Sequence, residues 1–401
     1  MFIKKVVPSL IKNSRGKKTI QISLQTYDGK FNASSPSGKS KGAHEVVAYN
    51  KLGIEKSLSL MKGLGKYLEH KNFMIKKIDD LKKLHYVVRR FEVHYGKLGG
   101  NVICALEAVF LKAAARANKK EVWQFIHDDV SKGKKIKMPM PVGNCIGGGL
   151  HSKKVGGKRP DFQEFLLIPK EKTFSRAVTH NLRAQEYARR LVKSKKRNDE
   201  GAILNGLANE EALEILRKVA DKYKLRIGLD IASSSFYNKG YYDYENKSLR
   251  RDKVDQTDYV EKLIKKFKIF YVEDPMDEED FSGFKSILNS ASKNRHKSLI
   301  VGDDLTVTNE KRVLRAIKAG SINAMIIKPN QIGSIVEVKK VVEICKKHKI
   351  ITIFSHRSGE TMDDILADYC VGFGGDFIKC GIYGRERLIK LRRIIEIEKQ
   401  F

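Results

Sequence analysis

From about residue 160 onward the chain repeats one pattern. A short apolar run closes on a polar or charged residue, and a stretch long enough for a helix follows. The runs are FLLIP (165–169), RIGLD (226–230), IFYVED (269–274), LIVGDD (299–304), AMIIK (324–328), ITIFSHR (351–357) and DFIKCG (376–381). From Asp230 through Glu273, Asp303, Lys328 and His356 to Lys379, the intervals are 43, 30, 25, 28 and 23 residues. Each interval accommodates one helix, and strands joined through helices run parallel. Seven such runs predict a closed barrel more than an open sheet. In a (β/α)8 barrel the C-terminal strand ends converge on one face, where active sites form. No GxGxxG follows the first run, which disfavours a dinucleotide-binding sheet.

At 401 residues the chain exceeds one ordinary domain, and two are expected. Up to about residue 130 the pattern is mixed. TIQISLQTYDGKFNASS sets a DG turn between two alternating segments, a hairpin signal. GGNVICALEAVFLKAAARANKK carries Ala105, Ala108 and Leu111 at helical spacing. SKGKKIKMPMP (131–141), polar and basic and then proline-punctuated, reads as a linker.

With 79 Lys and Arg against 47 Asp and Glu, the formal charge is +32. Nucleic acid is a conceivable partner for such a chain. The basic runs at 132–137 and 193–197 lack interleaved aromatics, however, and there is no zinc-finger, RRM or KH signature. A solvated lysine-rich surface is the favoured reading. Five cysteines without CxxC spacing argue against a disulfide framework or a zinc site and suit a reducing cytosol. No continuous apolar segment resembles a signal peptide or membrane span, so a cytoplasmic location is expected.

If the strand ends converge, Asp230, Glu273 and Asp303 meet at one mouth. Three carboxylates together repel one another unless a cation neutralises them, and all-oxygen ligands favour a hard cation such as Mg2+. Lys328 closes the next run. Desolvation and a neighbouring dication both favour its neutral form, which makes it a candidate general base for an α-proton. Ser355, His356, Arg357, Ser358 and Gly359 offer a guanidinium, a hydroxyl and backbone N–H groups suited to a phosphate or carboxylate. Lys379 adds a second cation.

The motifs VEDPMDEEDF (272–281), GDDLTVTNEKR (302–312), KPNQIGS (328–334), SHRSGET (355–361) and IGLDIASSSFY (227–237) resemble those of the enolase family. NSRG (13–16) and PSGKSKGAHE (36–45) are similar to its DSRG and PSGASTG segments. The resemblance covers essentially the whole chain. It implies an α/β fold: a smaller α+β N-terminal domain (1–130) and a variant (β/α)8 barrel (138–401), assembled as a homodimer. It implies reversible Mg2+-dependent dehydration of 2-phosphoglycerate to phosphoenolpyruvate, a step of glycolysis. Enolase-superfamily sites with a lysine base and Mg2+ are a known instance of tuned acidity.

By the same resemblance, Asp230, Glu273 and Asp303 would ligate the metal and Lys328 would take the C2 proton. Glu200 matches the acid that protonates the departing C3 hydroxyl, with Glu164 and Gln163 beside it and His151 from the loop after the linker. Arg357 and Ser358 would hold the phosphate with His356 nearby, and Lys379 the substrate carboxylate. Ser40 matches the residue that helps bind a second Mg2+ when its loop closes.

Three stretches depart from the family pattern. GGGLHSKK (147–154) stands for NGGSHAG, so Gly147 replaces an asparagine. NDEGAILNG (198–206) stands for a GDEGGFAP-like loop. Ser235 replaces an acidic residue, and the chain is somewhat short. These changes, with the +32 charge, define the alternative: an enolase-like paralogue with altered or lost activity, retained as a binding protein.

Overall fold

The structure, a computed structural model, describes residues 1–39, 41–131, 133, 135–246, 249–293 and 297–401. Ser40 and two lysines of the linker lie outside them.

The chain begins with a three-stranded antiparallel sheet: β1 (Ile3–Lys12), β2 (Lys18–Thr26) and β3 (Lys30–Ser34). The DG turn joins β2 to β3, as its sequence predicts. Four helices follow, α1 (Ile54–Leu68), α2 (Leu81–Tyr95), α3 (Gly100–Ala117) and α4 (Val122–Ser131). The alanine-rich α3 is buried along most of its length, because its small side chains let it pass between neighbouring elements.

Eight strands close the barrel: β4 (Met140–Gly147), β5 (Glu164–Ile168), β6 (Arg226–Asp230), β10 (Tyr271–Glu273), β11 (Leu299–Gly302), β12 (Ala324–Ile327), β13 (Ile351–Ser355) and β14 (Phe377–Lys379). A small side sheet, β7 (Tyr237–Asn238), β8 (Tyr241–Tyr244) and β9 (Leu249–Arg251), lies between β6 and β10 in sequence. Helices α5 (Phe174–Val192) to α9 (Glu310–Ala319) and α11 (Ile335–Lys347) to α13 (Arg385–Glu398) fill most of the connections. The all-apolar AMII of β12 is wholly buried, as a strand covered on both faces must be.

One expectation is corrected. The FLLIP run does not join a parallel sheet: β5 pairs antiparallel with both β4 and β6. Consequently its N-terminal end, not its C-terminal end, reaches the mouth. Glu164 sits opposite Asp230 in register, with Gln163 just before it. A strand that enters from the mouth must present its chemistry before its apolar run, and the sequence does so.

Lys339 of α11 ties the barrel to the N-terminal region. It donates to Asp79, and to Asp129 at 2.9 Å. Replacing Lys339 by methionine is expected to lower stability by about 2 kcal/mol, the scale of charge-assisted hydrogen bonds, read as a lower denaturant midpoint. Hydrogen bonding to Lys339 depresses Asp79 from 3.8 to about 2. Its contribution is therefore present above about pH 4 and lost as pH falls towards 2. Lys339 is raised above 10.5, although burial opposes its charge. Its share is full below that value and disappears only as pH climbs through the raised one. An unchanged midpoint in the methionine variant would remove this tie.

Candidate active site

At the barrel mouth lies a cleft of about 470 Å³. It is lined by the carboxyl groups of Glu45, Glu164, Glu200, Asp230, Asp274, Asp303 and Asp304, against the basic side chains of Lys328, Arg357 and Lys379. A protein of charge +32 thus carries a local excess of negative charge at this one place.

The strand ends converge as the spacing predicts. Glu273 is adjacent to Asp230 in the sheet register, and Ser355 to Lys379. Lys379 Nζ stands 2.8 Å from Asp230, 2.7 Å from Glu273 and 2.9 Å from Glu164. Burial opposes its charge, yet these carboxylates raise its pKa well above the usual lysine value. Glu273 is fully buried, and burial together with Asp230 pushes its pKa up to about 7. The Tyr271 hydroxyl donates to its Oε2 at 2.6 Å.

Lys328 extends from the end of β12 with φ −121° and ψ 101°, held off a helical path by Pro329, which opens a short helix, α10 (Pro329–Ile332). Its ammonium donates to Asp303 Oδ2, and Gln331 donates to Asp303 Oδ1 at 3.0 Å. A neutral amine is expected from the sequence. As the side chains stand, Asp303 raises the Lys328 pKa even though burial works against its charge. Freeing the amine therefore requires Asp303 to be engaged elsewhere.

Across the mouth, His151, Glu164 and Glu200 bring side-chain ligand atoms within 4.8 Å of one another. Burial raises Glu164 well above its ordinary value, and neighbouring Glu200 and Asp230 reinforce this against Lys379. Glu200 is held well below its ordinary value: burial opposes its charge, but His151 and a hydrogen bond from Glu164 prevail. Burial and mutual repulsion thus favour the protonated form at Glu164, and His151 favours the ionised form at Glu200. Asn144 Nδ2 donates to Glu164 at 2.6 Å and to Glu200 at 3.4 Å. Burial, with Arg387 and Lys379 nearby, pushes His356 well down, so its imidazole is neutral.

Arg357 is engaged by Glu45, at 2.9 and 3.0 Å through its two terminal nitrogens. The Ser358 hydroxyl accepts from the Lys39 backbone N–H at 2.8 Å, and Gly38 and Glu45 line the cleft.

Twelve of the thirteen anticipated residues are described, and all but one line the cleft. Glu273 lies just beneath it, against Asp230 and Lys379. Sequence reasoning missed Glu45, Gln331, Tyr271 and Asn144. The first two were present within KGAHE and KPNQIGS, but nothing local marks their partners. It also passed over Asp274, which accepts the backbone N–H groups of Asp303 at 3.0 Å and Asp304 at 2.8 Å and so fixes the end of β11.

The donor set fits a hard dication. Oxygens predominate, their negative charge exceeds the local cations, and Glu273 Oε1 and Gln163 Oε1 are buried without a hydrogen-bond partner among the described residues.

Two family models cover the chain. The enolase N-terminal domain matches residues 3–126, and the enolase C-terminal TIM barrel domain matches residues 135–401. The chain belongs to the enolase family. It is 33% identical to the enolase of Methanosphaera stadtmanae over 405 residues, covering 97% of this chain and 94% of that protein. It is 33% identical to the enolase of Picrophilus torridus, over 97% of this chain and 96% of its relative. The enolase of Pyrobaculum aerophilum is 34% identical over 96% and 93%. The enolase family consists of lyases, Mg2+-dependent in general, acting on a phosphorylated hydroxy acid. Among the described residues no helix is long and apolar enough to cross a membrane.

Proposed function

We propose that this enolase-family chain catalyses the reversible, Mg2+-dependent dehydration of 2-phospho-D-glycerate to phosphoenolpyruvate, as a cytoplasmic enzyme of glycolysis and gluconeogenesis. Residues 1–130 form its N-terminal unit and 138–401 its catalytic barrel, with a homodimer as the assembly. One observation carries the reading. In the eight-stranded ring β12 and β5 are four strands apart in both directions, so Lys328 and the Glu164–Glu200 pair face each other across the mouth. A base on one face of a bound substrate and an acid on the other suit removal of a proton and a hydroxyl from opposite sides.

Asp230, Glu273 and Asp303 would hold Mg2+. When bound, the ion supplies fixed positive charge against the negative charge that develops as the C2 proton leaves. Lys328 takes that proton once Asp303 no longer holds it as an ammonium. Glu200 passes to the departing C3 hydroxyl the proton it draws from Glu164, and His151, 3.2 Å away, steadies Glu200 in its ionised form. Lys379 orients the substrate carboxylate. Arg357 and Ser358, beside the neutral His356, receive the phosphate as Glu45 yields to it. Ser40 would complete a second metal position.

General acid–base help is worth roughly 10²–10⁴-fold, so the larger share of the barrier lowering falls to fixed charge. The test is phosphoenolpyruvate formation from 2-phosphoglycerate, followed by ultraviolet absorbance, with and without excess Mg2+. Mg2+-dependent product is expected. None from folded protein would overturn the reading in favour of a binding paralogue.

A further inference from the structure

Two of the departures, at 147 and 198, occupy one space. Gly147 ends β4, and its φ is not among the positive ones, so its backbone conformation does not require glycine. The space does. A Cβ on Gly147 would stand 2.3 Å from Asn198 Nδ2 and 2.8 Å from Ser152 Oγ. The Asn198 side chain fills the volume directly above the Gly147 Cα.

Both ends of that amide are engaged. Asn198 Oδ1 accepts the backbone N–H groups of Glu200 and Ala202, each at 3.0 Å. Its Nδ2 donates to Ser152 Oγ at 3.2 Å. Its own N–H reaches Ala202 O at 2.9 Å, and its carbonyl accepts from Gly201 at 3.1 Å. One side chain therefore fixes the turn that presents Glu200 and joins it to the residue after His151. Gly147 is itself anchored to the same loop, donating to Ile203 O at 3.0 Å and accepting from Asn205 at 2.8 Å.

We propose that Asn198 is a positioning residue for Glu200, and that Gly147 is glycine in order to admit it. The two departures are then one exchange: the family pattern carries its amide on the strand and its glycine on the loop, and this chain carries them the other way round. Asn198 acts through the backbone of Glu200. The proposal rests on the reading of Glu200 as the group serving the departing hydroxyl.

Three variants test it: Asn198→Gly, Gly147→Asn, and the two together. Asn198→Gly removes both acceptor bonds. It is expected to lower kcat on 2-phosphoglycerate by on the order of 10–10²-fold with KM little changed, the scale of a slight misplacement of a reacting group. Exchange of the C2 proton in D2O, which depends on Lys328, is expected to persist. Gly147→Asn crowds Asn198 and is expected to lower kcat as well. In the double variant one amide again faces one glycine, and most of the lost activity is expected to return.

A double variant no more active than the poorer single one would overturn the proposal. So would a C2 exchange rate that falls in step with dehydration, since that marks general disruption of the mouth. Melting temperature and amide exchange of the 198–203 segment are read in parallel, the latter faster in each single variant and restored in the double. Were the wild-type protein inactive on 2-phosphoglycerate, the functional reading alone would fall. The reciprocal rescue would then be decided by amide exchange, and its absence there would sink the positioning role.

Discussion

Lys328→Ala is expected to abolish exchange of the C2 proton of 2-phosphoglycerate while leaving the fold in place. Lys328 is the cation at the end of β12, and its strand buries AMII against both faces of the barrel wall. The backbone there does not depend on the ammonium. Its N–H donates to Thr308 Oγ1 at 3.0 Å, and Pro329 holds the extended conformation. Truncation therefore removes the proposed base and leaves the strand. Loss of general base catalysis is worth roughly 10²–10⁴-fold. The measurement is solvent deuterium incorporation at C2 by NMR, with circular dichroism as the check on folding. Exchange near the wild-type rate in a folded variant would take the role of base from Lys328. Methionine at the same position is the sharper control, because it keeps the aliphatic stem and removes only the amine.

Asp303→Asn is expected to weaken Mg2+ binding by at least about 10²-fold, measured by calorimetry. Partners behind a metal ligand already account for roughly 10–100-fold in affinity, so a direct ligand should cost no less. Lys328 holds the Asp303 carboxylate below its ordinary pKa against the effect of burial, so the group is ionised at neutral pH and free to exchange its ammonium partner for a dication. The asparagine variant also leaves Lys328 without its closest anion. Its pKa should fall, because burial then acts with less opposition. Unchanged metal affinity would refute the ligand assignment. Weakened affinity with C2 exchange restored at high Mg2+ would separate the ligand role of Asp303 from its hold on Lys328.

Much of the site was legible because its residues sit at positions the chain marks locally. Asp230, Glu273 and Lys379 close their apolar runs as the last residues of β6, β10 and β14, and Lys328 and Asp303 follow β12 and β11 directly. A run of apolar residues that stops abruptly at a charge is visible in one dimension. Glu45 was not marked in this way. It meets Arg357 across 312 residues, and no periodicity connects them. Gln331 and Tyr271 were passed over for the same reason: each matters only through the carboxylate it touches.

The direction of β5 illustrates the limit differently. FLLIP reads equally well as a parallel or an antiparallel strand, since a fully buried strand shows no alternation to betray its neighbours. Its reversal places Glu164 at the mouth rather than at the floor of the barrel. The exchange at 147 and 198 has the same character. In sequence it is two separate losses; in space Asn198 lies over Gly147, and each accounts for the other.

The sequence by itself determined which charged residues close the apolar runs of the parallel strands, because burial of such runs and the helix-length intervals between them are local properties. Only the tertiary structure decided which groups face one another. Lys328 stands opposite the Glu164–Glu200 pair because eight strands close into a ring and one of them runs backwards. Closure is a property of all the strands together, and no single segment encodes it.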